Sequence, residues 1–212
     1  MSLIVLAVQE HVLPRAPEER WLSELPPARC AELLRWPDAE ARRQSLWGSR
    51  LIREGLRRYG FPADSLSGLV YSASGKPSLG LPLHFSLSHC PGLILCVLST
   101  AGPVGVDAEP LGHSSALPAR LYFSPRESAW AGDDPERLLR LWTRKEAIVK
   151  AGGTLGLRQM HTFETSDSGT TFAGTVWHTA ALEVGPAFVA QVALSKPVDV
   201  PEVIRIPAES LL

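Results

Sequence analysis

The stretch from Asp134 to Gly153 constrains the fold more than any other part of the chain. Asp134 is a suitable helix N-cap, Pro135 fits the first helical turn, and Gly152 with Gly153 can end a helix in a left-handed conformation. The stretch therefore predicts a single helix of about 17 residues.

This predicted helix carries charges where an apolar face is expected. One arc contains Leu138, Leu141, Trp142, Ile148 and Val149, and the opposite arc contains Glu136, Arg140, Thr143, Arg144 and Ala147. Lys145 and Glu146 interrupt the apolar arc. A Glu-to-Lys pair such as Glu146 and Lys150 is usually a solvated brace, but a carboxylate on a covered face needs a cation or several hydrogen bonds. Glu146 is therefore a candidate for metal binding or catalysis.

Composition places the chain among soluble globular proteins of one domain or two small lobes. It has 212 residues, of which 45% are hydrophobic and 20% charged, with a formal net charge of −1. A nucleic-acid binder normally shows a basic stripe, and only the arginine-rich run 42–58 is densely basic here, which suggests a local anion site at most. We expect no nucleic-acid partner.

Cysteine usage and the absence of long apolar runs indicate a cytoplasmic protein. Cys30, Cys90 and Cys96 have neither an even pairing nor Cys-x-x-Cys spacing, so the sequence supports neither a disulfide framework nor a zinc site. The apolar run 3–8 lacks a preceding basic region and predicts a first strand rather than an export signal. No segment is long enough to span a membrane.

The remaining elements suggest that helix followed by strands occurs twice, before and after Leu111. We predict a helix over 27–36 and a longer one from its cap Asp38 to Tyr59, with Leu46, Trp47, Ile52 and Leu56 inward and the arginines outward. The runs 83–88, 93–99 and 104–109 predict an antiparallel meander. Further strands are predicted over 160–164, 170–178 and 187–194, with a hairpin turn at 166–169.

Two carboxylates on the third meander strand strengthen the case for a cation site. Asp107 and Glu109 lie on one face, about 7 Å apart along the strand. A solvated Asp-x-Glu is the commoner outcome, but together with Glu146 the pair suggests a bound cation. Lys76, at the tip of a predicted turn, could contact a phosphate or simply belong to a loop.

Three segments in fixed order resemble the Sfp-type 4′-phosphopantetheinyl transferases. They are Gly75-Lys76-Pro77 followed by Phe85-Ser86-Leu87-Ser88-His89, then Val104 to Glu109, then Trp142 to Lys150 with the pattern W-x-x-K-E-A-x-x-K. Each segment alone is weakly specific, but the ordered set is highly specific and spans most of the chain. The helix segment from Ala41 to Gly48 is also similar, less distinctively. Cys90 departs from the family pattern, in which a hydroxyl residue is more usual.

The resemblance implies an α/β fold of two similar lobes, residues 1–110 and 111–212. Each lobe would be a helix on a small antiparallel sheet, related by a pseudo-twofold axis, with the active site in the cleft between them. The implied activity is transfer of the phosphopantetheine arm of coenzyme A to a serine of an apo acyl or peptidyl carrier protein, with release of adenosine 3′,5′-bisphosphate. Such carriers serve fatty-acid, polyketide or nonribosomal peptide synthesis. We expect a monomer.

The resemblance also implies roles for individual residues. Mg²⁺ would be held by Asp107, Glu109 and Glu146, which agrees with the preference of this ion for carboxylates, phosphate and water. Glu146 and Lys150 would be catalytic, and Glu127 is the reserve candidate for the general base, unless it only caps its own helix. Coenzyme A contacts are expected from six residues: Arg43, Ser45, Lys76, Ser88, His89 and Lys145. Arg29 is an alternative to Arg43.

Two other functions stay open at this point. The first is a Mg²⁺-dependent hydrolase of nucleotide diphosphates, since carboxylates and lysine would serve there too, although the chain has neither a Nudix-like glutamate box nor a Walker glycine-rich loop. The second is a protein that binds coenzyme A or a carrier without catalysis. The intact set Asp107, Glu109, Glu146 and Lys150 argues against it.

Overall fold

Two four-stranded sheets, each covered by one long helix, form the centre of the molecule. The computed structural model describes residues 2–9, 18–73, 75–112, 121–154, 156–197, 199 and 202–212. The strands are β1 Leu3–Gln9, β2 Val70–Tyr71, β3 Pro77–Ser78, β4 His84–Cys90, β5 Leu93–Ser99, β6 Val104–Pro110, β7 Thr170–Phe172, β8 Thr175–Ala181, β9 Phe188–Leu194 and β10 Val203–Arg205. The helices are α1 Glu18–Ser23, α2 Pro27–Leu34, α3 Ala39–Arg58, α4 Pro125–Ala131 and α5 Pro135–Ala151.

The first sheet has the strand order β10-β1-β5-β4 and is covered by α3. Its three long strands are antiparallel neighbours, while β10 runs parallel to β1. Asp38 accepts hydrogen bonds from the backbone N–H groups of Glu40 and Ala41 and so caps α3, as predicted. The predicted inward residues of α3 are all buried in this core: Leu46, Trp47, Ile52 and Leu56.

The second sheet has the order β6-β9-β8-β7, with antiparallel pairing throughout, and α5 lies across it. Asp134 caps α5 at Glu136 and Arg137, and the helix covers the predicted 17 residues. α5 comes closest to β6 at Gly105, where a Cβ atom would lie 2.0 Å from the carbonyl oxygen of Ala147. Only glycine allows this approach of helix to strand.

The faces of the two sheets that are turned away from α3 and α5 pack against each other. Successive side chains of a strand point to opposite faces, so Ile4, Leu6 and Val8 of β1 reach the α3 core, whereas Val5 and Ala7 enter the core between the sheets. Residues from β6 and β9 fill the same central core. The layers therefore run α3, first sheet, second sheet, α5, and the α/β class with a helix on a small sheet in each lobe is confirmed.

Several predicted strand assignments are wrong. β6 pairs with β9 rather than with β5, so the third run of the predicted meander belongs to the second sheet. The run 160–164 forms no strand, because the 3₁₀ helix Leu157–Thr162 occupies it. The segment 170–178 is interrupted by a tight turn at Ala173 and Gly174, both with positive φ, which closes the β7–β8 hairpin. The turn at 166–169 precedes that hairpin instead of closing one.

The C-terminal strand β10 belongs to the first sheet, although its residues were assigned to the second predicted lobe. β10 was not predicted from sequence, and it returns the chain to the first sheet beside β1. Each sheet thus takes one strand from beyond the proposed division at residue 110, β10 in the first and β6 in the second. The boundaries 1–110 and 111–212 stay a prediction. No helix in the described ranges is long and apolar enough to cross a membrane.

Three residues that were predicted to be exposed are buried. Thr143 and Ala147 of α5, placed on the polar arc, are fully buried because this side of the helix faces β6 and β9. On α3, Arg50 was expected to point outward, but only 8% of it is exposed. Its guanidinium lies 5.1 Å from the ring of Trp21 and pairs with Glu24, so stacking and an ion pair compensate its burial.

We predict that Gly105→Ala destabilises the fold by at least about 2 kcal/mol, since the new Cβ would meet backbone atoms of α5 that cannot rotate away. Urea denaturation followed by circular dichroism measures the change. Gly112→Ala is the matched control, because a Cβ there meets no atom within 4 Å. Equal midpoints for the two variants would contradict this account of the contact.

Candidate active site

The candidate site lies at the seam where the edge strand β4 of the first sheet meets the edge strand β6 of the second. Two serines of β4 bridge this seam with their hydroxyl groups. Val106 donates its backbone N–H to Ser86 Oγ at 3.1 Å, and Ala108 donates to Ser88 Oγ at 3.2 Å. The alternating serines of the segment 85–89 therefore give edge-strand donors of β6 the partners that they would otherwise lack.

Asp107 is the most constrained carboxylate at this seam. It is 5% exposed, and its Oδ1 accepts hydrogen bonds from Ser88 Oγ at 3.0 Å and from Lys150 Nζ at 2.7 Å. Its Oδ2 is buried and has no hydrogen-bond partner among the residues that the structure describes. A buried carboxylate oxygen of this kind usually has a donor or a cation, so Asp107 offers one ready ligand atom.

Glu146 and Glu109 add two further carboxylates near Asp107. Burial raises the pKa of Glu146 to about 7, and the negative charges of Asp107 and Glu109 add to this rise, while Lys150 opposes it. Three carboxylates thus share one region in which their charges repel. Among the residues that the structure describes, no group of three or more His, Cys, Asp or Glu side chains is arranged as a ready-made metal site.

Lys150 is the cation that partly balances these carboxylates. Burial disfavours its charge, but Asp107 and Glu146 outweigh this effect and raise its pKa. Its ammonium also donates to the carbonyl oxygen of Val106 at 3.2 Å. The contact of α5 with β6 therefore brings Glu146 and Lys150 to Asp107, and the seam between β4 and β6 adds Ser88.

A small cavity of about 180 Å³ lies on the α3 side of β4 and contains two more of the predicted residues, Ser45 and His89. Partial burial and the charge of Lys150 lower the pKa of His89, which favours a neutral imidazole. Arg29 also lines the cavity, donates to Ser45 Oγ at 2.9 Å, and lies 5.0 Å and 4.8 Å from the ring centres of Trp36 and Tyr71.

Arg43 and Lys76, the other predicted cations of the first lobe, lie apart from this cavity. Arg43 pairs with Glu40 one turn earlier in α3 and does not line the cavity, so Arg29 is the arginine that the fold brings there. Lys76 reaches α5 instead and donates to the carbonyl oxygens of Lys150 at 2.7 Å and Ala151 at 3.1 Å.

Lys145 is buried in the protein interior, away from solvent. Its ammonium donates to the carbonyl oxygens of Met160 and Phe163, at 2.8 and 2.6 Å, and pairs with Glu127 at 2.9 Å. The side chain is 0% exposed, so in this arrangement all three N–H donors are used within the protein. The described contacts give Lys145 a structural position and leave no donor for a ligand.

Glu127 is equally engaged. It caps its own helix, the alternative named above, by forming a capping box of α4 with Ser124. Its other carboxylate oxygen accepts from the backbone N–H and the hydroxyl of Thr165. Glu127 also lines a separate cavity of about 720 Å³ with Arg140 and Arg144. On a helix with 100° per residue, Arg144 and Glu146 point in nearly opposite directions, so this cavity lies on the flank of α5 that does not carry Glu146.

Sequence reasoning missed one signal that would have marked the buried ammonium groups. The chain has 21 basic residues, of which only four are lysines: Lys76, Lys145, Lys150 and Lys196. The first three all donate to main-chain carbonyl oxygens around α5, and only Lys196 is exposed. Where surface cations are almost all arginine, each lysine is a candidate for a buried, functional position.

Comparison with known proteins gives consistent similarities. Residues 103–191 match the family model described as the 4′-phosphopantetheinyl transferase superfamily. The chain is 35% identical over 139 residues to the 4′-phosphopantetheinyl transferase AcpT of Salmonella typhi. The aligned region covers 61% of this chain and 67% of AcpT. It is 31% identical over 161 residues to the 4′-phosphopantetheinyl transferase HetI of Nostoc sp., covering 70% and 65% respectively.

We predict that Lys145→Met lowers the free energy of unfolding by about 3–5 kcal/mol, because it leaves the Glu127 carboxylate buried without its cation. Chemical denaturation measures this loss, and Lys196→Met, at the exposed lysine, is the matched control. The double variant Lys145→Met, Glu127→Gln should recover part of the loss, since no uncompensated charge is then buried. A Lys145→Met protein as stable as the control would show that the pair is not structural.

Proposed function

The chain belongs to the 4′-phosphopantetheinyl transferase superfamily, and we propose from its site that it transfers the phosphopantetheine arm of coenzyme A to a carrier serine. The acceptor is an apo acyl or peptidyl carrier protein, and the second product is adenosine 3′,5′-bisphosphate. One observation carries the proposal most directly. Asp107 is fixed by Ser88 and Lys150, and its other oxygen, near Glu146, is buried with no partner in the described part of the chain.

The carboxylates of the site fit Mg²⁺. Asp107 Oδ2 has no hydrogen-bond partner among the described residues, and Asp107 and Glu109 place negative charge near Glu146. A hard divalent cation relieves both. Asp107, Glu109 and Glu146 would hold the ion. When bound, it would offset the negative charge of the coenzyme A diphosphate. The protein's own residues supply the remaining chemistry.

Coenzyme A would lie along the first-lobe side of the seam, near β4. We keep Ser45 and His89 as coenzyme A contacts because they line one cavity, and a neutral imidazole can donate a hydrogen bond to a phosphate oxygen. Ser88 acts mainly through Asp107, to which its hydroxyl is committed. Arg29 replaces Arg43 as the preferred arginine contact, and Lys145 is assigned to the protein interior. Lys76 keeps one N–H for a phosphate oxygen.

The transfer itself requires removal of the proton of the carrier serine. The serine oxygen forms a bond to the β-phosphorus while the bond from this phosphorus to the adenosine bisphosphate oxygen breaks. Glu146 is the proposed acceptor of the serine proton, since a carboxylate beside the proposed cation site can accept this proton directly or through a water molecule. Lys150, one turn further along α5, lies where it can stabilise the charge that develops on the phosphoryl oxygens.

Glu127 is the weaker candidate for the base. Its oxygens are occupied by Lys145, Thr165 and the backbone of Ser124, and it lies on the other flank of α5. This arrangement supports its capping role instead.

Family membership does not favour the hydrolase or the non-catalytic alternative. Incubation of the protein with coenzyme A, Mg²⁺ and a panel of apo carrier domains, followed by intact mass spectrometry, tests the proposal. Holo carrier should form only in the complete mixture. Release of adenosine 3′,5′-bisphosphate without any carrier would instead indicate a hydrolase.

A cytoplasmic location and a monomeric state stay predictions.

We predict that Asp107→Asn lowers the transfer rate at least about 10²-fold, because the seam loses the charge that would hold the cation and orient Lys150. The amide keeps an oxygen for Ser88, so the melting temperature should change little. Intact mass kinetics and calorimetry measure the two quantities, with the exposed Asp64→Asn as control. A wild-type rate with unchanged Mg²⁺ dependence would remove Asp107 from the site.

We further predict that Glu146→Gln lowers the transfer rate at least about 10²-fold while coenzyme A affinity changes less. Raising the Mg²⁺ concentration should restore part of the rate if ligation is the main role, and almost none if proton transfer is. Glu127→Gln should act mainly on stability. A near-normal rate for Glu146→Gln, together with a folded but inactive Glu127→Gln, would move the base to Glu127.

A further inference from the structure

Lys76 links the small hairpin of the first lobe to the last turn of α5 in the second. It lies immediately before β3, where its backbone N–H donates to Ser72 Oγ at 3.1 Å and its carbonyl oxygen accepts from the N–H of Ser72 at 2.9 Å. These bonds fix the base of the side chain. Its ammonium then donates to the carbonyl oxygens of Lys150 and Ala151, 74 and 75 residues further along the chain.

The last turn of a helix is where a cation is most favourable. The final carbonyl groups of a helix lack intrahelical partners and carry the negative end of its dipole. In α5 the N–H groups of Gly152, Gly153 and Thr154 fold back on Ile148, Lys150 and Val149, at 2.9, 3.2 and 3.3 Å. The ammonium of Lys76 bonds the carbonyl groups of this same turn and half-buries its charge there.

Both ends of Lys150 are therefore held by groups of the seam. Its carbonyl oxygen accepts from Lys76, and its ammonium pairs with Asp107, which in turn accepts from Ser88 of β4. β3 lies against β4. The contacts therefore lead from Lys76 to Lys150 and Asp107, and from there through Ser88 of β4 back to the strand beside Lys76. Removing the Lys76 side chain removes a hydrogen bond to Lys150, whose ammonium lies beside the candidate metal ligand Asp107.

We propose that Lys76 is a positioning residue, which fixes the C-terminal turn of α5 and thereby places Lys150 for transfer. This inference rests on the proposed function only for the step that involves transfer. The contact of Lys76 with α5 uses two N–H groups of its ammonium and leaves the third for a phosphate oxygen. The positioning of α5 and a contact to coenzyme A can therefore be separated by experiment. A pure contact affects binding of coenzyme A, whereas a positioning residue also affects α5 when no ligand is present.

The first test measures amide hydrogen exchange by NMR without coenzyme A or carrier. In Lys76→Met, exchange of the Gly152, Gly153 and Thr154 amides should accelerate at least about tenfold, while amides in the middle of α5 keep their wild-type rates. Lys196→Met is the matched control. Lys76→Arg retains a cation that can reach both carbonyl oxygens, so it should restore most of the protection. Unchanged exchange in Lys76→Met would overturn the proposal, whatever the activity of the protein.

The second test separates kcat from KM in the transfer assay. Loss of positioning should lower kcat by about tenfold to a hundredfold, equally with coenzyme A and with dephospho-coenzyme A, and Lys76→Arg should recover part of it. A rise in KM confined to coenzyme A, with kcat unchanged, would assign Lys76 to the 3′-phosphate alone and overturn the positioning role. If the wild-type protein transfers nothing, the proposed function fails. The hydrogen-exchange experiment still tests whether Lys76 stabilises the last turn of α5. If Lys76→Met does not fold, Lys76→Gln provides the same comparison with one donor group retained.

Discussion

The close contact of α5 with β6 at Gly105 is the constraint on which the candidate site depends. Without a side chain at this position, helix and strand backbones approach until only a hydrogen fits between them. The approach brings Glu146 and Lys150 to the edge of the second sheet, where β6 presents Asp107 and Glu109. The cluster of carboxylates is therefore a consequence of packing, and its charge is tolerated because Lys150 lies within it.

The edge strands of the two sheets meet without a continuous backbone ladder between them. Serine hydroxyl groups from β4 accept the N–H groups of Val106 and Ala108, and Ser88 then donates its own proton to Asp107. One side chain thus satisfies a strand edge and orients a carboxylate. An exposed edge would invite pairing with another chain, so the serines also protect β6.

Three lysines stabilise α5 or its surroundings in different ways. Lys150 balances the carboxylates of the seam, Lys145 ties the helix to the 160–163 segment and to Glu127, and Lys76 holds its C-terminal turn from the other lobe. An ammonium group is a compact charge with three donors, which suits sites where several carbonyl oxygens converge. Arginines, by contrast, supply nearly all the cations of the surface, and four of their ion pairs lie within α3 or α5.

The sequence by itself determined the features that depend on neighbouring residues. Asp38 and Asp134 cap their helices as predicted, because a capping side chain needs only the N–H groups two or three residues ahead. The motif segments also identified the family and most of the seam residues. The tertiary structure decided the rest: the pairing of β6 with β9, the return of β10 to the first sheet, and the burial of Thr143 and Ala147. It also joined Lys145 to Glu127 and Lys76 to α5. These contacts join residues far apart in the chain, and a pattern within one segment carries no information about which distant segment will lie against it.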